Sequence, residues 1–380
     1  MRILLINYEY PPLGGGAGTV SHHIARDLVA QGHRVDTVTM GYRGLPAVQE
    51  EDGVTVYRVP GLRRHKEYSS PHEMIFYVLS AARFLDRHLR DHHYDLCHCH
   101  FIVPTGVLAW WLKRRYGLPY VITAHGSDVP GYNGDRFGWF HRFSPPLLRT
   151  VARGSEALVS PSLHLLRMMR ENIGELPLRH LPNGIRLQPD PVEQGIPKKP
   201  IVLATGRLLP RKGYQTLIRA VHDRSLPCEV HIAGDGPFRR PLEELARGSR
   251  TPIVFHGWLE KESETLRRLY EEASIYVLLS RSENASIALL EAMMYRAAII
   301  TSNVTGCPET VGDAGLLLEC DDVEGLGRAL EELCDDRRRL EEMARRARRR
   351  VEEHYDIVQV ARRYGALFEE LLDGGGSGRS

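Results

Sequence analysis

The sequence has no apolar run approaching the roughly 18 residues needed to cross a bilayer. Its first residues pass straight into a strand-like pattern, Arg2-Ile3-Leu4-Leu5-Ile6, without the charged head and apolar stretch of a secretion signal. The expectation is a cytoplasmic protein that meets a membrane, if at all, peripherally at its inner face. None of the six cysteines forms a Cys-x-x-Cys pair, so a disulfide framework or a zinc ribbon is not expected, and the thiols read as reduced. Cys97-His98-Cys99-His100 resembles a metal cluster only on paper. Residues of a strand alternate between faces, no matching half-site lies nearby, and no metal is expected there. No dense basic stripe interleaved with aromatics is present, which argues against nucleic-acid binding. An Asp-x-Asp metal motif is missing, and so is a Gly-x-Gly-x-x-Gly fingerprint followed by a ribose-binding acid.

What is present is the composition of a globular protein, 42% hydrophobic and 26% charged over 380 residues, too long for one ordinary core. The net charge of +2 is uneven. Residues 1–185 carry 21 Lys and Arg against 16 Asp and Glu, and the remainder 29 against 32. A mildly basic N-terminal half suits anionic lipid or a phosphorylated acceptor, although a solvated mixed surface accounts for the charge equally well.

Short β-rich runs alternate with longer helical patterns in both halves. Strands are expected at Arg2–Ile6, Arg34–Met40, Val54–Val59, Leu96–His98, Tyr120–Thr123 and Ala157–Ser160. In the second half they are expected at Ile201–Ala204, Glu229–Ala233, Ile253–Phe255, Ile275–Leu279 and Ala298–Thr301. Helical stretches are expected at Val20–Gln31, Gln215–His222 and Ser263–Glu272, with an exposed Arg-rich helix over 335–350. Such alternation implies an α/β protein with parallel sheets covered on both faces. The proline-rich stretch 187–200 reads as a linker. It separates an N-terminal domain, 1–186, from a C-terminal domain, 201–354, followed by a helix over 355–373 and a flexible Gly/Ser tail, 374–380.

Five segments sit where strands end, the edge at which open α/β sheets bind ligands. Gly14-Gly15-Gly16 follows the first strand and lets backbone amides approach an anion, though a tight turn explains it as well. His125, after the Tyr120–Thr123 strand, is placed to face a ligand, as are the nearby acceptor-side candidates His100 and Asp128. Arg207 and Lys212 flank a loop in which a guanidinium fork and a mobile ammonium can converge on phosphates. Gly234-Asp235-Gly236 is either part of a nucleotide pocket or plain turn chemistry. The most informative segment is Glu283-Asn284-Ala285-Ser286-Ile287 through Glu291. A carboxylate in the loop precedes a helix expected to start at Ser286, its N-cap, with free amides at Ala285, Ser286 and Ile287 and a second carboxylate in the next turns.

Taken together and in this order, these motifs make the chain resemble the family 4, group 1 retaining glycosyltransferases of the GT-B fold. The resemblance runs from the Gly14–Gly18 loop through His125-Gly126 and Leu181-Pro182-Asn183-Gly184 to the Glu-x7-Glu segment and Glu291-Ala292-Met293. It implies two Rossmann-like domains whose parallel sheets face each other across a cleft, with the last helix crossing back to the first domain. It also implies a UDP- or GDP-sugar donor, no separate cofactor, no metal, and a glycan or lipid-linked acceptor. Arg207 and Lys212 would hold the diphosphate, Glu291 the ribose, and Glu283 and His125 the donor sugar. Gly15 and Gly16 would lie near phosphate and acceptor. The chain departs from the family at Asn284-Ala285-Ser286, at Arg296, which replaces a glycine, and at Gly306-Cys307-Pro308-Glu309. These departures keep open a nucleotide-sugar-binding regulatory or scaffold protein. An epimerase or phosphorylase of the same architecture is a third reading, and the missing pyridoxal-lysine segment argues against the phosphorylase.

Overall fold

The computed structural model describes residues 1–66, 68–132 and 145–375. The chain divides into two compact units: Met1–Arg186 joined by the chain from Ile357 onward, and Leu187–Asp356.

The first unit is built on eight strands: β1 (Arg2–Ile6), β2 (Arg34–Met40), β3 (Val48–Glu51), β4 (Val54–Val59), β5 (Leu96–His100), β6 (Tyr120–Thr123), β7 (Ala157–Ser160) and β8 (Leu178–His180). They lie in the order β3-β4-β2-β1-β5-β6-β7-β8. Every pair is parallel except the β3–β4 hairpin. Among its helices are α1 (Gly16–Ala30), α2 (Pro71–His88), α3 (Thr105–Tyr116), α4 (Pro145–Gly154) and α5 (Leu163–Ile173). Local chemistry sets their ends. Ser70 and Glu73 form a capping box that starts α2 with Pro71 in its first turn, and Gly117, at φ 72°, ends α3. Leu4, Ile6, Val38, Cys97, Cys99 and Ile122 fill the core, each large aliphatic side chain worth about 1.5–3 kcal/mol of burial. The C-terminal helix Ile357–Gly375 belongs to this unit and packs along α1. Its Tyr364 and Phe368 are buried, with ring centroids 5.2 Å from that of His98.

The second unit is a six-stranded, wholly parallel sheet. Its strands are β9 (Lys199–Thr205), β10 (Glu229–Ala233), β11 (Ile253–Gly257), β12 (Ala273–Leu278), β13 (Ala298–Ser302) and β14 (Gly315–Leu318), ordered β11-β10-β9-β12-β13-β14. Helices α6 (Tyr214–His222), α7 (Arg239–Leu245), α8 (Glu264–Glu272), α9 (Ile287–Met294), α10 (Cys307–Val311), α11 (Val323–Asp335) and α12 (Arg337–His354) cover it. In both sheets the strand order reverses beside the first strand, between β1 and β5 and between β9 and β12. Loops leaving neighbouring strands diverge at such a point and open a crevice at the carboxyl edge.

Several expectations need correction. The strands β3, β8 and β14 were not anticipated, and β12 runs two residues earlier at its start than the expected Ile275. The Arg-rich helix is not simply exposed: Arg348 on α12 is buried and donates to the carbonyls of Met294 and Gln188. Residues 187–200, read as a linker, are counted with the second unit, and β9 already begins at Lys199. Gly374 and Gly375 continue the last helix, and the rest of the expected tail, 376–380, lies outside the described residues. Among the described residues no helix is long and apolar enough to cross a membrane.

Candidate active site

In the second unit, four loops leave the carboxyl edge of the sheet and are stitched together by backbone. Gly206, after β9, donates its N–H to the Ala233 carbonyl, and Leu208 donates to that of Asp235. Gly213, at φ 79°, has no room for a side chain: a Cβ there would come 2.1 Å from the Leu279 carbonyl oxygen. Gly234 is equally confined by the Gly206 carbonyl, at 1.9 Å. The loop after β12 is tied in the same manner. Arg281 N–H and the Ser280 hydroxyl donate to the Arg211 carbonyl, and Glu283 N–H donates to Thr305 Oγ1 at 2.9 Å. Gly306 N–H donates to the Glu283 carbonyl.

This framework brings Lys212 and Glu283 together. The Lys212 ammonium donates to Glu283 Oε1, with both side chains largely buried. A charge pair removed from solvent needs close geometry to offset its desolvation, and here the backbone ties just described fix both partners. Arg207 lies exposed on the same loop as Lys212. Ser286 occupies the N-cap position of α9, as expected, but makes no side-chain cap bond, so the helix start is not closed by its own hydroxyl. Ala285, Ser286 and Ile287 thus place the positive end of α9 beside the Lys212–Glu283 pair. Asp235 turns back on its own turn, accepting from Gly236 N–H at 2.7 Å and from Arg239 at 3.2 Å.

Glu291 belongs to a network that sequence reading did not find. Its Oε2 accepts from the Tyr270 hydroxyl at 2.8 Å. That hydroxyl is also 2.7 Å from Thr205 Oγ1, which in turn is 3.0 Å from the Tyr276 hydroxyl. Burial pushes the Glu291 carboxyl above its ordinary range, opposed by the charge of Lys261 and the bond from Tyr270. The network joins the ends of α8 and β9 to the middle of α9, and only an aromatic residue closing the amphipathic pattern of α8 hints at it.

In the first unit the corresponding edge carries a cluster of histidines. His100 ends β5, and its register opposite Thr123 on β6 sets His125 two residues beyond. His100 Nδ1 and His125 Nε2 share a hydrogen bond of 2.9 Å, and their rings stack. His98 Nε2 bonds Thr123 Oγ1, which also contacts the Tyr364 hydroxyl of the C-terminal helix. Burial pushes His98 and His125 down to about 3 and holds His100 well below the usual imidazole range. Neutral imidazoles at working pH can donate or accept hydrogen bonds without carrying charge. Asp128 is buried and spends both oxygens on backbone: Oδ1 accepts from the N–H groups of His125 and Gly126, and Oδ2 from Ile102 N–H. It acts as a clamp that shapes the His125 turn. Gly14, at φ 89°, and Gly15 lead into α1, whose N-cap is Gly15, and Gly16 is its first residue. Gly15 N–H donates to the Glu9 carboxylate at 3.2 Å.

Arg296, which the resemblance sets in place of a glycine, has a left-handed backbone at φ 62°. Its guanidinium pairs with the buried Asp190 at 2.9 Å. The pair holds the turn after α9.

Two family models cover the chain between them. The model described as Glycosyltransferase Family 4 matches residues 14–189, and Glycosyl transferases group 1 matches residues 188–350. An uncharacterized glycosyltransferase of Methanocaldococcus jannaschii is 29% identical, covering 82% of this chain and 83% of its own length. The GDP-mannose-dependent alpha-(1-6)-phosphatidylinositol monomannoside mannosyltransferase of Mycolicibacterium smegmatis is 25% identical, covering 98% of each chain. Among solved structures, the sucrose-phosphate synthase of Thermosynechococcus elongatus superimposes with a TM-score of 0.82 at 20% identity, over 98% of this chain and 100% of its own. Two units built on parallel sheets, matched along almost the whole sequence, make this chain a glycosyltransferase of family 4, group 1, with the GT-B fold.

Proposed function

We propose that the protein moves a sugar from a UDP- or GDP-sugar to an acceptor hydroxyl on a glycan, a small-molecule glycoside or a lipid-linked saccharide, with retention at the anomeric carbon. The observation that carries this reading is the Lys212–Glu283 pair set beside the start of α9. An ammonium and a row of backbone amides suit a diphosphate, and the adjacent carboxylate suits sugar hydroxyls.

The bond between the anomeric carbon and the diphosphate oxygen breaks, and its electron pair leaves with the diphosphate. Arg207, Lys212 and the amides of Ala285–Ile287 stabilise the negative charge where it develops. The acceptor oxygen attacks from the same face, and its proton passes to the departing phosphate oxygen. This front-face course needs no pair of carboxylates flanking the bond, such as glycoside hydrolases use. Glu291 takes the ribose hydroxyls, held for that task by Tyr270. Gly234 and Gly236 keep the neighbouring turn tight enough to admit a nucleotide, with Asp235 bracing it. Glu283 and His125 are assigned to the donor sugar, Gly15 and Gly16 to phosphate and acceptor, and His100 and Asp128 to positioning His125. Six free thiols accord with a cytoplasmic location.

A thermal-shift panel of nucleotides and nucleotide sugars tests the donor claim. A ligand at about 100 times its dissociation constant adds about 2.7 kcal/mol of stability. A panel in which no nucleotide raises Tm overturns the reading. NMR of the product's anomeric proton distinguishes retention from inversion.

A further inference from the structure

The amino edge of the second sheet, opposite the loops of the candidate site, holds a cavity of about 600 Å³. The starts of strands line it from the sheet: Ile201 of β9, Ile275 of β12, and Cys228, the residue just before β10. Leu333 and Cys334, in the last turn of α11, and Leu340 of α12 line it from the helical layer. The transfer reaction uses none of these residues.

Two thiols meet in this cavity. Cys228 is buried and its S–H donates to the sulfur of Cys334, which is half-buried. That bond favours the Cys334 thiolate and lowers its thiol below the ordinary range, against burial and the charge of Asp335. The same bond, together with burial, raises Cys228. One sulfur is therefore set up as the nucleophile and the other kept as a protonated thiol beside it, the arrangement of an attacking and a resolving cysteine.

The other four cysteines are placed differently. Cys97, Cys99 and Cys307 are fully enclosed, and burial pushes each above the ordinary thiol range. Cys320 is half-buried, but burial and the neighbouring Asp321 carboxylate raise it too. Of the six, Cys334 alone combines access from a cavity, a favoured thiolate and a second thiol in contact.

We propose that Cys228 and Cys334 form an oxidisable dithiol, which a hydroperoxide entering the cavity converts into a disulfide joining α11 to the start of β10. The Cys334 thiolate attacks one peroxide oxygen, the O–O bond breaks, and hydroxide leaves. Cys334 is oxidised to a sulfenic acid while the peroxide is reduced. The Cys228 sulfur then attacks the sulfenic sulfur; the S–S bond forms, the S–O bond breaks, and water departs with the Cys228 proton. In a reducing compartment such a bond is transient and reopened by thiols. The chemistry is independent of the transferase reading.

Treatment of the full chain with hydrogen peroxide, followed by alkylation and tryptic peptide mapping, tests it. The peptides carrying Cys228 and Cys334 should appear joined, lighter by two hydrogens, within a single chain, and should separate on addition of dithiothreitol. The remaining four cysteines should stay alkylatable after unfolding. Cys228→Ser, shown folded by circular dichroism, removes the resolving thiol, so Cys334 should stop at the sulfenic acid and label with dimedone severalfold more than in the wild type. Two separate peptides after oxidation overturn the proposal, as does a disulfide between chains, a disulfide to any other cysteine, or dimedone labelling unchanged in the variant. The wild-type map decides the matter even if the variant does not fold.

Discussion

The carboxyl edges of the two sheets carry the same scaffold and opposite chemistry. Each sheet reverses its strand order beside its first strand, and each opens loops there. In the second unit that edge is ionic: Lys212 meets Glu283, Arg281 meets Asp321, and Arg207 stands on the same loop as Lys212. In the first it is a row of uncharged imidazoles, His98, His100 and His125, with Asp128 turned onto the backbone. One fold therefore carries two kinds of edge. In the second unit the loops hold ions in tight pairs, and in the first burial keeps the histidines uncharged.

The strongest way to break this contrast is at Lys212. Lys212→Ala removes the buried cation and should cut kcat/KM by about 100-fold, corresponding to about 3 kcal/mol of lost transition-state stabilisation. It also leaves Glu283 unpaired, so Tm should fall as well. Steady-state kinetics with the donor identified by thermal shift, on protein shown folded by circular dichroism, provides the check. Wild-type kcat/KM in that protein would remove Lys212 from the site.

Gly306→Ala attacks the same edge through space alone. At φ −90° the backbone accepts any residue, but a Cβ would stand 1.5 Å from the Asn284 carbonyl oxygen. The 283–286 loop must move, at a cost of about 2 kcal/mol, which should appear as about thirtyfold weaker nucleotide binding by titration calorimetry. Unchanged affinity would mean that the loop does not hold the nucleotide.

The effect at the histidine edge is absent at neutral pH and grows only as the solution is acidified. His98, fully buried, is depressed to about 3 in the folded state, against about 6.5 unfolded. Between those values the unfolded chain binds a proton that the folded one refuses. Stability is therefore lost as pH falls below about 6.5, by about 1.4 kcal/mol per pH unit for such a histidine. Urea unfolding of His98→Gln from pH 7 to pH 4 should show a slope shallower by about that amount. An identical slope would mean that burial does not hold His98 below its unfolded value.

Much of this was legible in the sequence because the signals are local. Apolar β-branched runs such as those of β2, β4 and β13 announce buried parallel strands, and glycines and charges right after them announce carboxyl-edge loops. The short edge strands escaped notice. Val-Gln-Glu-Glu in β3 and Leu-Arg-His in β8 are half-exposed or exposed and carry no apolar repeat. Contacts across sequence distance were equally invisible. Nothing near Glu291 points to Tyr270, nothing near Gly306 shows that Asn284 lies against it, and the pairing of His100 with His125 depends on the β5–β6 register. Arg296 was noted as an oddity, but its partner lies 106 positions away.

That last pair constrains how the sequence can drift. A left-handed backbone costs a non-glycine residue on the order of 1 kcal/mol, so reverting Arg296 to glycine would relax the turn. The same step would take the ion-pair partner from the buried Asp190 carboxylate, which keeps the Val192 N–H and the nearby charge of Lys198. Loss of the acid leaves the arginine in its left-handed conformation without its ion pair. The two positions are thus coupled: a change at one is felt at the other, 106 residues away in the sequence.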